Sequence, residues 1–426
     1  MKLHYNALRV GRGIVRLLRR LRVHRMRPSR VVDECSMRLN YDVLGHIMRF
    51  LGGQDLVNIM CTSRASYEVG LSILLGQPIH LYAKHTLPFV DFILKDPPRY
   101  GPMLRNLTVA QTYIDKLDCQ LATVVEHASH LRRFSIYGMM SSSSDTPELL
   151  KTLLTRPSKE LRQVGLPSIS SRYPPADFPL HLDYLKSVSW PSLVHLQLKV
   201  YLELGDYGWL DALSRFSLTL ETLERSTAEF KFPSTFTIPF PRLRTLCIYT
   251  ILYPDEEAYF PTMRLVHLFP QLQNLYVDQI HAEIPPLTVE AHRERNIQDA
   301  VALSRNHGYW PNLVHVCTAY DAMYTMGLKC PVRHLDLSHS YYYDHMWQSE
   351  EVAKAIRDLQ PCALSFGLPL TRAACHTLST ILVDSAQLTH LEYELTFDND
   401  DPKSSLKSLG WFLVCFLVSS FEQAHI

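Results

Sequence analysis

The sequence lacks several features that mark common classes of protein. No run approaches the roughly 18 apolar residues that span a bilayer, and the most apolar segment, Leu409 to Phe421, is shorter. We interpret this segment as a buried terminal helix and expect no membrane association. The chain contains no Gly-x-Ser-x-Gly, His-Glu-x-x-His or Gly-Lys-Ser/Thr motif. Because those motifs mark hydrolases, zinc proteases and phosphate-binding loops, nothing here indicates an enzyme.

The cysteines also lack the spacing of a metal site or a redox motif. Nine cysteines are scattered along the chain, with no Cys-x-x-Cys pair. An odd, dispersed set is typical of reduced, mostly packed thiols. Reduced thiols favour a cytoplasmic or nuclear protein, and we expect no metal and no cofactor.

Acidic residues are missing from the first part of the chain. Ten of the 43 Lys and Arg residues lie in Met1–Val32, which has no Asp or Glu, so the remainder has 33 basic and 42 acidic residues. This mildly acidic body argues against an extended nucleic-acid-binding face. Residues 1–35 form a basic leader, interpreted as a solvated extension or a lone amphipathic helix. Organellar import, nuclear import and contact with anionic membranes are alternative roles for it.

Residues 36–77 have the pattern of three short helices. Leu44, Ile47 and Phe50-Leu51 form an apolar stripe on the first helix, which Asn40 or Asp42 can cap and Gly52-Gly53 ends. A second helix follows Asp55, and Ser63 caps a third. Three helices of this size bury too little apolar area to be stable alone, so we expect them to dock onto a partner or the adjoining domain. A plain helical cap for the following domain is the alternative.

The order of residues in this module resembles the F-box motif: Leu39, Asp42, Leu44, Ile47, Phe50-Leu51, Asp55-Leu56 and Ser63-Arg64. Asn40 stands where the family usually has Pro after the first Leu, and Ala65 where it has an aromatic residue after the Arg. The resemblance implies docking to a Skp-type adaptor, which in turn binds a cullin. It divides seven residues between the module core and the adaptor-binding surface: Leu39, Leu44, Ile47, Phe50, Leu51, Leu56 and Ile59.

One phrase recurs through residues 78–426: an apolar residue, two variable ones, then two apolar residues flanking a single variable one. The good copies are LRNLTV from Leu104, LRRFSI from Leu131, LRQVGL from Leu161, LVHLQL from Leu193, LRTLCI from Leu243, LQNLYV from Leu272, VRHLDL from Val332 and LTHLEY from Leu388. Weaker copies begin at Leu220, Leu313 and Pro361. Each copy predicts a short strand, and segments such as Asp115–Leu131 and Glu350–Leu359 between copies have helical periodicity. Stacked strand–helix units share one continuous core.

The phrase resembles the leucine-rich repeat, Leu-x-x-Leu-x-Leu. The family's Asn or Cys three residues later is absent, with Thr112 and Met139 among the residues in its place, so we expect irregular convex turns. The resulting fold class is α/β: a three-helix F-box-like module over 36–77, then an irregular leucine-rich-repeat solenoid with a C-terminal capping segment over 78–426. Its strands are expected on the concave side, with helices and loops on the convex side. Head and body together resemble the F-box proteins of mushroom-forming fungi.

The variable residue between the last two apolar residues of a copy points to the concave face. This places six candidate target-binding residues in a row: Thr108, Ser135, Gln197, Tyr276, Asp336 and Glu392. A solvated face without a partner is the alternative. His195, His315, His334 and His390 recur just before an apolar strand residue, but no spacing gathers enough ligands for a metal. The aromatic segment from Tyr341 to Trp347 forms either a binding loop or a cover for the core.

These patterns and resemblances predict the substrate-recognition subunit of an SCF-type (Skp adaptor, cullin, F-box) ubiquitin ligase. The helical module binds the adaptor, the repeats bind an unknown protein target, and the chain itself catalyses no reaction. The main alternative is a leucine-rich-repeat interaction scaffold that never joins a ligase. A third hypothesis is an organellar protein imported through the leader.

Overall fold

The computed structural model describes residues 40–113, 117–141, 148–155, 159–170, 185–186, 188, 190–200, 208–225, 228–229, 238–252, 262–281, 286–303, 309–337, 349–369 and 387–396. The leader, Leu39, the aromatic segment from Tyr341 and the apolar segment from Leu409 lie outside these residues. The chain divides into two compact units, Met1–Tyr201 and Leu202–Ile426. In both units parallel strands alternate with helices, so the architecture is α/β as expected. None of the described helices is long and apolar enough to cross a membrane.

The first unit begins with three short helices, α1 (Tyr41–Arg49), α2 (Gly53–Met60) and α3 (Arg64–Gly76). The Asn40 side chain caps α1 by accepting a hydrogen bond from the Asp42 backbone N–H at 3.0 Å. Ser63 caps α3 in the same way by accepting from the Ser66 backbone N–H at 3.0 Å. Both caps are those that the polar pattern predicts, because a short side-chain oxygen satisfies a free N–H of the first turn.

The start of α2 differs from the prediction. The sequence pattern began the second helix after Asp55, whereas α2 begins at Gly53. Gly52 takes the extended backbone conformation of an N-cap residue, with φ −65° and ψ 154°. The glycine pair therefore starts α2 as well as separating it from α1.

The three helices pack around two methionines and a glycine. Met48 is the fully buried residue of α1, and Met60 is 1% exposed in α2. Both side chains reach Gly70 of α3, where an added Cβ would lie 2.2 Å from Met60 Cγ and 2.6 Å from Met48 Cε. The helices can approach this closely because Gly70 has no side chain. The apolar stripe predicted for α1, formed by Leu44, Ile47 and Phe50-Leu51, does not form this contact.

The rest of the first unit is a parallel sheet with helical connections. Its strands are paired in the order β1-β2-β3-β4-β5. The elements are β1 (Pro78–Tyr82), α4 (Ala83–Ile93), α5 (Pro97–Tyr100), a 3₁₀ turn (Gly101–Met103), β2 (Asn106–Tyr113), α6 (Asp118–His127), β3 (Arg133–Ser141), α7 (Glu148–Thr155), β4 (Gln163–Ser170) and β5 (His195–Val200).

The second unit continues the same alternation. Its strands are paired in the order β6-β8-β9-β10-β11-β12-β13, and the short β7 also lies beside β8. The elements are α8 (Gly208–Leu213), a 3₁₀ turn (Ser214–Phe216), β6 (Thr222–Arg225), β7 (Ala228–Glu229), β8 (Thr245–Leu252), α9 (Thr262–Leu268), β9 (Asn274–His281), α10 (Pro286–Leu303), β10 (His315–Thr318), α11 (Tyr320–Met326), β11 (His334–Leu337), α12 (Ser349–Leu359), β12 (Ala363–Pro369) and β13 (His390–Thr396).

The repeated phrase corresponds to a strand at every copy, including the weaker ones. Each of these strands begins two residues after the first apolar residue of its phrase, as β2 does after Leu104. In that copy Leu104, Leu107 and Val109 are at most 1% exposed, whereas Thr108 between them is partly exposed. The central apolar positions stack in register within each unit, with Leu107 paired to Phe134 in the first and Leu246 to Leu275 in the second. The predicted stacking of repeats on shared cores is thus present in each unit.

Three strand pairs of the first unit shift register near the third apolar position of the phrase. The register shifts between Ala110 and Tyr113 in β2, between Ser135 and Met139 in β3 and between Leu166 and Ile169 in β4. These shifts lie next to the positions where leucine-rich repeats have their Asn or Cys. The pairing of β8 with β9 shows no such shift, although Ile251 and Ile280 also replace the Asn or Cys there, so the missing residue alone does not explain the shifts. The irregular convex turns stay a prediction.

Aromatic residues before proline close several of the turns that enter the strands. Trp190, Phe240, Phe269 and Trp310 each precede a Pro and are at most 1% exposed. The Phe240 carbonyl accepts a hydrogen bond from the Leu243 N–H at 3.1 Å, a three-residue span that suits Pro in a β-turn. The Trp310 indole N–H donates to the Phe269 carbonyl at 2.8 Å. Each aromatic side chain thus fills the core at the base of its repeat.

A buried arginine joins three helices of the second unit. Arg293 of α10 has a side chain that is 1% exposed and forms an ion pair with Asp358 of α12. Its guanidinium also donates to the Tyr324 carbonyl in α11 at 2.8 Å and lies 4.4 Å from the centre of the Tyr324 ring. The positive charge is compensated inside the unit, so this arginine is structural.

We predict that replacing Gly70 or Gly76 of α3 by alanine changes the melting temperature in opposite directions. Gly70→Ala should lower the melting temperature because the new methyl group overlaps Met60 and Met48. Gly76→Ala is the matched control, since no atom lies within 4 Å of its added Cβ and alanine favours helix. Thermal unfolding followed by circular dichroism measures both. Equal melting temperatures for the two variants would contradict this account of the helix packing.

We predict that Arg293→Ala lowers the free energy of unfolding by about 3 kcal/mol, since removing one partner of a buried ion pair leaves the other uncompensated. Gln298→Ala, at an exposed position of the same helix, should change it by less than about 0.5 kcal/mol. Urea unfolding of both variants provides the comparison. A similar loss in both would mean that the Arg293 contacts contribute little.

Candidate functional site

One face of α1 presents large apolar side chains to solvent. Phe50 is 78% exposed, Val43 47% and Ile47 44%. Val43, Ile47 and Phe50 follow one another at i, i+4 and i+7, which is the spacing of a single helix face. The Phe50 ring contacts the His46 ring edge-on, with centroids 5.1 Å apart. We call Val43, Ile47 and Phe50 the α1 face.

The opposite side of α1 explains why this face points outward. Met48 is buried against α2 and α3. A Cβ on Gly45 would lie 3.5 Å from Val69 of α3. Gly45 and Met48 are three residues apart, so together they mark the inner face of α1. The α1 face is therefore turned away from α3.

The residues that the F-box resemblance assigns to core and adaptor surface fall into three groups. Leu56 is fully buried and belongs to the module core, whereas Ile47 and Phe50 belong to the α1 face. Leu44, Leu51 and Ile59 are partly exposed. Val43 was missed by the sequence reasoning, although its spacing of four residues from Ile47 was visible there.

The candidate target-binding residues lie in register along the strands. In the first unit the row is His80, Thr108, Ser135, Gly165 and Gln197. In the second unit it is Glu224, Cys247, Tyr276, Cys317, Asp336, Ser365 and Glu392. All six predicted residues are members of these rows. The sequence analysis did not name the other members of these rows. Most of them stand between the last two apolar residues of a phrase copy, so the repeat could have predicted them.

Exposure varies along the first of these rows. Ser135 is only 5% exposed, although the sequence placed it on an open face. A Cβ on Gly165 would lie 2.9 Å from Ser135 Oγ and 3.1 Å from Gln197 Oε1, so the neighbouring side chains close over the glycine. Thr108 and Gln197 are partly exposed. The accessible part of this row therefore lies on either side of Ser135 and Gly165.

Polar contacts link five strands of the second unit. The Tyr276 hydroxyl and His315 Nδ1 are 3.0 Å apart, and the rings of His315 and His334 stack with centroids 4.7 Å apart. His334 Nε2 lies 2.9 Å from Ser365 Oγ, and Ser365 Oγ donates to Glu392 Oε2 at 3.5 Å. These contacts hold the side chains of β9 to β13 in fixed positions on the sheet face.

Burial sets the protonation of several groups on this face. Burial and the nearby His334 lower the pKa of His315, while Asp336 acts in the opposite direction. Burial, Glu224 and Cys317 raise the pKa of the Cys247 thiol to about 12. A thiol with so high a pKa stays protonated and is a poor nucleophile. Of the six described cysteines, Cys317 and Cys330 are buried, Cys247 is intermediate and the other three are exposed, so fewer are packed than expected.

The serine–histidine contact lacks the third group of a hydrolytic triad. His334 approaches Ser365, but no carboxylate in the described part of the chain is hydrogen-bonded to His334, and Glu392 binds the serine instead. A triad needs an acid that orients the histidine. Among the residues that the structure describes, no group of three or more His, Cys, Asp or Glu could hold a metal ion.

A shallow depression of about 390 Å³ opens where the strands of the second unit begin. Its lining includes Val314, Arg333, Gln360 and Cys362. Arg333 is the one cation among the lining residues. The depression is open and weakly charged, which fits a contact surface better than an enclosed small-molecule site.

No protein-family model matches the chain, and no curated protein is similar enough to match it. Any functional assignment must therefore come from the residues and the geometry.

We predict that His315 makes the stability of the second unit sensitive to acid. Its pKa in the folded state is lower than the usual 6.5, so as pH falls through 6.5 the unfolded chain binds the proton first. The free energy of unfolding then decreases until pH passes the folded pKa. His315→Gln should lose less stability than the wild type between neutral and mildly acidic pH.

Melting temperatures measured at pH values about one unit above and below that usual pKa test this prediction. His390→Gln provides the control, because His390 has the same place in its phrase but is exposed. If His315→Gln and the wild type show the same pH dependence, the buried neutral state of His315 is not the cause.

Proposed function

We propose that this chain is the substrate-recognition subunit of an SCF-type ubiquitin ligase. In this proposal α1 to α3 form an F-box-like module that docks a Skp-type adaptor, and the adaptor links the chain to a cullin. The strands and helices that follow act as an irregular leucine-rich-repeat solenoid that holds a protein target. The α1 face is the observation that carries the proposal.

The physical argument is one of uncovered apolar area. Burying a Phe, Ile or Val side chain contributes about 1.5–3 kcal/mol, and the α1 face has three of them at one helical spacing. Contiguous apolar patches on a folded surface typically mark a site for a partner. A partner that covers Phe50 and Ile47 would gain this energy on binding.

The module core and the docking residues are distinct in this proposal. Leu56, with Met48 and Met60, holds the three helices together. Phe50 and Ile47 contact the adaptor, and the partly exposed Leu44, Leu51 and Ile59 border the contact. The position of Leu39 in the motif gives it the same role, although it lies outside the described residues.

The target-binding role is assigned to the rows on the strand faces. Their accessible members include Thr108, Gln197, Tyr276, Asp336 and Glu392. A target held there would present its lysines to a ubiquitin-charged enzyme at raised effective concentration. The chain makes and breaks no bond, so ligase activity belongs to the assembled complex. We place this complex in the cytoplasm or nucleus.

A repeat-based interaction scaffold without an adaptor is the second candidate. The ordered polar contacts from Tyr276 to Glu392 favour it, because they provide a recognition surface that does not depend on the α1 face. The two candidates differ only in whether α1 to α3 bind an adaptor.

We predict that Phe50→Asp reduces recovery of a purified Skp-type adaptor by the full chain at least about tenfold, because a charge would be buried in an apolar contact. Phe50 is 78% exposed, so the substitution should leave the fold intact. Leu218→Asp is the matched control, since Leu218 is 68% exposed and lies in the other unit.

Pull-down with adaptor at known concentration measures the effect, and circular dichroism verifies folding of each variant. Recovery by the wild type and by Leu218→Asp, but not by Phe50→Asp, is the expected result. No recovery by the wild type would reject the ligase proposal in favour of the scaffold. Equal recovery by both variants would show that the α1 face is not the docking site.

A further inference from the structure

Positive charge is concentrated where the strands of the first unit begin. The segments 101–106, 128–133 and 159–163, which lead into β2, β3 and β4, contain one acidic residue, Glu160. They contain five cationic residues, which we call the cationic edge: Arg105, Arg132, Arg133, Lys159 and Arg162. All five are exposed. This excess of charge stands out in a body that is acidic overall.

The arginines form a ladder because the backbone before each strand is paired to its neighbour. The Arg132 N–H donates to the Arg105 carbonyl at 2.7 Å, and the Arg162 N–H donates to the Arg132 carbonyl at 2.8 Å. Neighbouring strands lie about 4.8 Å apart, so three guanidinium groups follow one another across about 10 Å. The ladder ends at Val194, whose N–H donates to the Arg162 carbonyl.

Only part of this charge is compensated by described residues. Glu160 Oε2 accepts from Arg132 Nε at 3.3 Å, and its Oε1 lies 2.9 Å from His130 Nδ1. These hydrogen bonds lower the pKa of Glu160, so it remains an anion. Arg105, Arg133 and Arg162 form no ion pair with another described residue. Like charges this close repel one another, and an anionic ligand would relieve that repulsion.

The second unit shows that the ladder is not a general property of the repeat. At the same position of successive phrases it has Glu221, Arg244, Gln273, Val314 and Arg333, joined by the same backbone pairing. Its two arginines are separated by uncharged residues. Arg244 and Arg333 therefore serve as matched controls, with the same local backbone but no neighbouring cation in the ladder.

We propose that the cationic edge binds a short, extended, Asp- or Glu-rich segment of a partner protein. Arginine suits this role because its planar group pairs with carboxylates through two hydrogen bonds. Asn106 and Gln163 flank Arg133 in register on the sheet face, where their amides can bind a peptide backbone. About three residues of extended chain span the ladder.

Two observations favour an acidic peptide over nucleic acid as the occupant. The body outside the leader has 33 basic and 42 acidic residues, so it would repel a long polyanion beyond the edge. The three segments of the edge contain no Phe, Tyr or Trp on which unpaired bases could stack. A short acidic segment needs neither feature.

This inference rests on the proposed target-binding role of the sheet and defines the class of target. Peptide binding needs no adaptor, so it can succeed or fail independently of the adaptor pull-down. Failure of the peptide alone would reject an acidic target at this edge and leave the adaptor proposal standing.

The test is fluorescence anisotropy of a short labelled peptide of alternating Glu and Ser, titrated with the full chain at low ionic strength. Arg105→Gln/Arg162→Gln should weaken binding about fivefold, since two exposed ion pairs are lost. Arg244→Gln/Arg333→Gln removes the same charge and should leave the affinity within about twofold. Glu160→Gln should strengthen binding, because it removes the competing carboxylate.

The proposal is overturned if the wild type does not bind the peptide, or if both double variants weaken binding equally. It is also overturned if oligothymidine of equal charge displaces the peptide and binds more tightly, since the edge would then be a nucleic-acid site. A peptide with Gln in place of Glu should not bind. Circular dichroism of each variant separates lost binding from lost folding.

Discussion

The parallel pairing that aligns the copies of the phrase on neighbouring strands of each unit is the constraint on which the rest of the structure depends. Alternate residues of a strand face opposite sides, so a slip of one residue would turn Leu107 outward and bury Thr108. The matched burial of Leu107, Phe134 and Val164 opposes such a slip. The same register places every variable residue beside its equivalents. Surfaces that are continuous across strands are therefore a consequence of packing the core.

This constraint produces different surfaces from similar repeats. In the second unit it brings Tyr276, His315 and His334 together as a fixed polar face. At the start of the strands in the first unit it stacks Arg105 and Arg132 through paired backbone. The helical module follows another rule, since Gly70 lets its helices approach closely and leaves Phe50 uncovered by the described residues. The two units therefore present different surfaces, although their strands and helices follow the same alternation.

Several local features could be predicted because they depend on neighbouring residues alone. The caps at Asn40 and Ser63 need only a side-chain oxygen and the next turn of helix. The strand at each copy of the phrase follows from alternating apolar residues. The start of α2 was misplaced because Gly52 can either end a helix or cap the next one. The burial of Ser135 was missed because it depends on the side chains of the adjacent strands.

The sequence by itself determined the α/β alternation and the position of each strand that begins in a copy of the phrase, because these follow from local periodicity. Only the tertiary structure decided that Met48 and Met60 converge on Gly70, that Arg293 reaches Asp358, and that His315 stacks on His334. These contacts join residues far apart in the chain, and their distances depend on how the helices and strands pack. Periodicity indicates which side of an element is buried, whereas packing decides which side chains meet.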